Sequence, residues 1–140
     1  HEMMARSVAM RDKTGSRMNI FGITVLTSLG GDLWSEVHPG SDLDRSLEAR
    51  ALAAERAGLD GIVCSPLDLS LLKGKAGKLA RVVPGIRRMR TSAEDQTRVA
   101  TAKEAAAAGA SFIVVGRPIL EAEDPIAEVK KTIGEISEVM

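Results

Sequence analysis

Short apolar runs alternate along this chain with longer stretches in which apolar residues recur every three or four positions. Met3, Met4, Val8 and Met10 outline the apolar face of a first helix that ends near Lys13-Thr14-Gly15. Ile20–Leu26 is apolar and β-branched, of strand length, and closes on Thr27 and Ser28. Leu29–Ser41 holds Gly30-Gly31 and Pro39-Gly40, which predicts a long loop with at most one short turn around Trp34. From Asp42 to Ala57, Leu43, Leu47, Ala51, Leu52 and Ala54 keep helical spacing, with Ser41 or Asp42 as N-cap and Gly58 past the end.

The alternation continues. Gly61–Cys64 predicts a second strand, Leu67–Leu72 a short helix, and Leu79–Val83 a third strand broken by Pro84-Gly85. Thr101 and Glu104 form a capping-box pattern ahead of an alanine-rich helix that Gly109 stops. Ser111–Val115 predicts the fourth strand. Asp124-Pro125 supplies a cap and an N1 proline for a last helix carrying Ile126, Val129, Ile133 and Ile136.

Four short, nearly continuous apolar strands, each followed by a helix, predict an α/β fold with a parallel sheet covered on both sides. A doubly wound sheet and half of a (β/α)8 barrel both fit that count. Polar residues gather just after the strands, at Thr27, Ser28, Ser65, Arg87, Gly116 and Arg117. Those positions are the loops of a barrel's C-terminal face, where barrel active sites lie. A dinucleotide fold calls for G-x-G-x-x-G after its first strand, and none is present. The chain therefore reads as four βα units of a TIM barrel, residues 1–140 forming the C-terminal half of one domain.

Composition narrows the chemistry. With 19 basic and 19 acidic residues the formal charge is zero, so there is no basic stripe for nucleic acid. Trp34, Phe21 and Phe112 are the only aromatic residues, which leaves little platform for base stacking. No run approaches the roughly 20 apolar residues of a membrane span. Cys64 is the sole cysteine, and a buried small hydrophobe in a reducing, cytoplasmic setting is the expectation. His38, beside Pro39-Gly40, reads as a solvated loop residue, and the Lys73–Lys78 cluster as a solvated helix end. The opening at His1, running straight into EMMARSVAM without an initiator methionine, reads as part of a longer polypeptide.

The candidate chemistry lies between Val82 and Arg117. VVPGIR and VVGRP each end an apolar strand with glycine and then arginine. Glycine allows close backbone approach, and arginine offers a planar, permanently charged fork, a combination suited to a phosphate dianion. Either arginine alone reads as a surface residue; their shared placement favours phosphate. Arg88–Asp95 is a polar loop of the kind that closes over a ligand.

Taken in order, ITVLTS, GLDGIVCSP, VVPGIR, EDQTRVATAKEAAAAGA and IVVGRPI resemble the C-terminal half of the orotidine 5′-phosphate decarboxylase family. The V-G-R strand end alone is shared with sugar-phosphate decarboxylases and synthases; PGIR followed by Asp95-Gln96 is the more specific part. The resemblance implies a cofactor-free decarboxylation of orotidine monophosphate to UMP. It places Thr27 and Ser28 near the base and ribose, and Arg87, Gly116 and Arg117 on the 5′-phosphate. Gln96 would bridge base and phosphate. It also implies that the catalytic Asp-x-Lys-x-x-Asp motif, absent from these residues, lies in the N-terminal half. The implied partners are a pyrimidine nucleotide and either the complementary half-barrel or a second copy. The remaining alternatives are another phosphate-binding barrel enzyme or a non-catalytic binding module.

Overall fold

The computed structural model describes residues 1–87 and 99–139. In chain order the elements are α1 (Glu2–Lys13), β1 (Phe21–Ile23), α2 (Gly31–Val37), α3 (Leu43–Arg56), β2 (Gly61–Val63) and α4 (Asp68–Leu71). They continue with β3 (Ala80–Val83), α5 (Ala102–Ala107), β4 (Phe112–Ile113), α6 (Arg117–Leu120) and α7 (Pro125–Ser137). The four strands pair in parallel and in sequence order, β1-β2-β3-β4. A doubly wound sheet reverses its strand order at a switch point. This one never reverses, so the fold is the barrel alternative.

Local chemistry fixes most helix ends. The Asp42 carboxylate accepts from the Arg45 N–H and starts α3, and Gly58 follows its end at φ +78. Thr101 and Glu104 complete the capping box of α5, and Asp124 accepts from Ile126 and Ala127 N–H groups at the start of α7. The regular strands are shorter than the apolar runs, but ladder bonds extend past them. Asp60 N–H donates to the Ile20 carbonyl and Thr24 N–H to the Val63 carbonyl.

The structure departs from three sequence expectations. First, the stretch Leu29–Ser41 is not a loop throughout, because it contains α2. Burial of Trp34, 2% exposed, holds this helix in place despite the two glycines at its start. Second, Met4 and Val8 pack against the core, whereas Met3 and Met10 are exposed. Residues 4 and 8 share one stripe of the helix and 3 and 10 the next. In α7 likewise Ile136 packs inward while Ile126 and Ile133 are exposed, and the buried position is Glu128.

Third, among the described residues the sheet is covered on one face only. Ile62, Cys64, Val83, Ile113 and Val115 join α3, α4 and α5 in one core. The alternate positions face the other way: Ile23 is 66% exposed and Phe112 56%. That bare face is concave, since the Phe21 and Phe112 rings, from opposite edge strands, meet edge-on at 6.5 Å. Gly61 makes room for the Phe21 ring. A Cβ there would lie 2.6 Å from the Phe21 ring and 2.5 Å from the Ala80 carbonyl oxygen. The bare face is the half-lined interior of a barrel.

Candidate functional site

At the C-terminal ends of the strands, the β1 exit is a tight turn. Leu29 N–H donates to the Leu26 carbonyl at 3.0 Å, which leaves Thr27 and Ser28 at the two central positions. Thr27 is half-buried and Ser28 exposed. The β2 exit is closed. Ser65 is fully buried, its N–H donates to the Asp68 carboxylate at 2.8 Å, and Asp68 N–H returns a bond to the Ser65 carbonyl. These two bonds close the turn through the Ser65 backbone, while the buried Ser65 hydroxyl has no hydrogen-bond partner among the described residues.

The β3 exit is held open. Gly85 adopts φ +82, a conformation that favours glycine over any residue with a Cβ. Beyond it Arg87 N–H donates to the Ala100 carbonyl at 2.9 Å, and Ala100 N–H returns to Gly85. That clasp fixes the backbone of Arg87, whose half-buried guanidinium donates to the Ile86 carbonyl at 3.1 Å. The β4 exit is Gly116, exposed, followed by Arg117 as the first residue of α6. A Cβ at Gly116 would meet nothing within 4 Å, so packing does not demand a glycine there. Within α6, Pro118 carries no N–H, and the Ile119 and Leu120 N–H groups both donate to the Gly116 carbonyl.

Val83 pairs with Ile113, and Arg87 and Arg117 each follow four residues later in the chain, past the ends of β3 and β4. The Thr27–Ser28 turn lies beyond β2, two strand spacings from β3, or about 10 Å across the sheet. Gln96, Asp95 and the Arg88–Asp95 loop lie outside the described residues.

Among the described residues, no group of three or more His, Cys, Asp and Glu is arranged to hold a metal ion. None of their helices is long and apolar enough to cross a membrane. The displaced titrations belong to ion pairs carried by α1, α5 and the end of α7. Arg11 is raised, chiefly by its hydrogen bond to Asp12, with help from Asp60. Lys103 is raised and Glu138 lowered by their mutual hydrogen bond. A groove of about 1050 Å³ beside Met3, Met10 and Phe21 opens along α1, and neither Arg87 nor Arg117 lines it.

Cys64 is buried, as its sequence context predicts. His38 is exposed, but its ring stacks on Trp34 at 4.1 Å rather than standing free in solvent. Of the Lys73–Lys78 cluster, Lys75 is bonded to Glu48 at 2.7 Å and so is more than a solvated end. Sequence reading passed over Asp68 and Arg50. For Asp68 the signal was legible, since Ser-Pro-x-Asp is a turn-closing pattern. For Arg50 there was none, because its partners Thr24 and Trp34 lie 26 and 16 residues away in the chain.

Four parallel strands in unreversed order, with chemistry gathered at their C-terminal ends, define part of a (β/α)8-barrel protein. The family model described as Orotidine 5′-phosphate decarboxylase / HUMPS family matches residues 1–132. The chain belongs to that family. It is 36% identical over 137 residues to the orotidine 5′-phosphate decarboxylase of Pseudomonas syringae pv. tomato, covering 96% of this chain and 58% of that protein. The enzyme of that name from Nitrosomonas eutropha is 39% identical over 123 residues, covering 87% of this chain and 53% of that protein. In three dimensions it is similar to the crystal structure of orotidine 5′-phosphate decarboxylase from Lactobacillus acidophilus. That match has TM-score 0.69 and 33% identity, over 86% of this chain and 50% of the other. The chain thus spans little more than half the length of the curated relatives it matches.

Proposed function

We propose that this chain supplies the substrate-gripping half of an orotidine 5′-monophosphate decarboxylase, which converts that nucleotide to UMP and carbon dioxide. The supporting observation is that Arg87 and Arg117 each follow a glycine and each come four residues after the register pair Val83–Ile113. Arg87 and Arg117 bind the 5′-phosphate from two sides, with the backbone N–H groups at Gly116 and Arg117 completing the grip. Thr27 and Ser28 contact the ribose and base, and Gln96 reaches between base and phosphate. The phosphate takes no part in bond breaking. Its binding energy assembles the site and favours the transition state at the pyrimidine ring. The proton donor and the carboxylates that drive decarboxylation come from the other half of the barrel.

A ligand panel on the assembled barrel (these residues with the N-terminal strands that the relatives carry) tests the reading. UMP should raise its melting temperature, and pentose or hexulose phosphates should not. Stabilisation by a sugar phosphate alone would move the assignment to a sugar-phosphate decarboxylase or synthase. Arg117→Ala or Arg87→Ala should weaken UMP binding by about 1.5–3 kcal/mol each, the range for a hydrogen bond to a charged group. Isothermal titration reads this directly, and wild-type affinity in both variants would sink the phosphate assignment.

A further inference from the structure

We infer that Arg50 is a positioning residue that ties down both ends of the Thr27–Ser28 turn. The inference rests on the reading of that turn as the base and ribose contact.

Before the turn, Thr24 is anchored to β2: its N–H and its hydroxyl both donate to the Val63 carbonyl, at 3.1 and 2.8 Å. Its own carbonyl accepts from Arg50 Nη1 at 2.6 Å, three residues before Thr27. After the turn only Gly30 stands between Leu29 and α2. Trp34 of α2 lies under the same guanidinium, whose carbon is 5.3 Å from the ring centroid. The indole N–H donates to the Ser41 carbonyl at 3.0 Å, and the His38 imidazole packs on the ring. Trp34 is thereby moored to the start of α3, the helix that carries Arg50.

One side chain therefore grips the chain on either side of a four-residue turn. The guanidinium does this with two different parts of its structure: an in-plane N–H reaches the carbonyl while the cation faces the indole. The turn itself has a single backbone hydrogen bond, Leu29 to Leu26, among the described residues. Its fixed shape depends on what holds its ends. Lysine has a point charge and no plane, so it can satisfy the carbonyl or cover the ring, but not both with this geometry.

The test compares Arg50→Met, Arg50→Lys and Arg45→Met in the assembled barrel by titration with UMP and with inorganic phosphate. Arg45 lies on the same helix, so its loss removes the same charge without touching the turn. Arg50→Met should weaken UMP about tenfold, the equivalent of one charge-assisted hydrogen bond. Phosphate, held at Arg87 and Arg117, should keep its affinity. Arg50→Lys should recover part of the loss, and Arg45→Met should bind UMP as the unsubstituted protein does. A role in overall stability alone would weaken both ligands together and overturn the inference. Unchanged UMP affinity in Arg50→Met would overturn it too, while leaving the proposed function standing. Failure of the unsubstituted barrel to bind UMP would remove the functional reading itself.

Discussion

Gly61 and Gly85 each do something no other residue can, for different physical reasons. At Gly61 the obstacle is space: an added methyl would press on the Ala80 carbonyl oxygen and the Phe21 ring, and the backbone atom cannot swing aside. Gly61→Ala is expected to destabilise the chain by about 1–3 kcal/mol, the cost of overpacking, measurable as a lower urea midpoint at unchanged slope. At Gly85 the obstacle is conformation, φ +82, where a Cβ costs about 1–2 kcal/mol. Gly85→Ala should lose phosphate affinity as well as stability, because the same backbone aims Arg87. Sequence singled out Gly85, Arg87, Gly116 and Arg117 because their signal is local, a glycine beside an arginine at a strand end. It missed Arg50 because nothing in EARAL sets that arginine apart until β1 and α2 fold against it.

Helices whose ends are written in neighbouring residues were legible. Those created by burial were not. α3, α5 and α7 start where Asp42, Thr101 and Asp124 cap them. Thr101→Ala should cost about 1 kcal/mol and increase amide exchange at Glu104, whose N–H it would release. By contrast α2 carries two weak formers at its start and a proline–glycine stop, and it exists because Trp34 is driven into the core. The Lys103–Glu138 tether between α5 and α7 is exposed on both sides and adds little to stability. Lys103 holds the Glu138 carboxyl below its usual value. Any contribution is therefore present at neutral pH and fades as the pH falls through that lowered value. Glu138→Gln should unfold at close to the unsubstituted melting temperature at pH 7, by calorimetry.

At the scale of the molecule, curvature and coverage decide behaviour. Phe21, Ile23, Phe112 and Val114 line a concave face that no described helix covers, and β1 and β4 are open edges among the described residues. Open parallel edges flanking apolar surface are templates for association. The 140 residues alone are expected to sediment as a pair or larger species, or with the complementary half when it is present. A monodisperse monomer at micromolar concentration would count against this. Alone they are also expected to release no carbon dioxide from orotidine monophosphate in a radiometric assay, since the proposed proton donor lies in the other half.

By itself the sequence determined the four strands and most of the helices, where the capped helices begin, and that glycine–arginine pairs close two strands. Those features depend on residues within a turn or two of one another. Tertiary structure alone decided that strand order never reverses, that one sheet face stays bare, and that Trp34 makes a helix of a glycine-rich stretch. It also set Arg87 and Arg117 past the ends of two register-paired strands and Arg50 astride the Thr27–Ser28 turn. Each of those depends on register or burial between residues far apart in the chain, a relation that exists only once the sheet has formed.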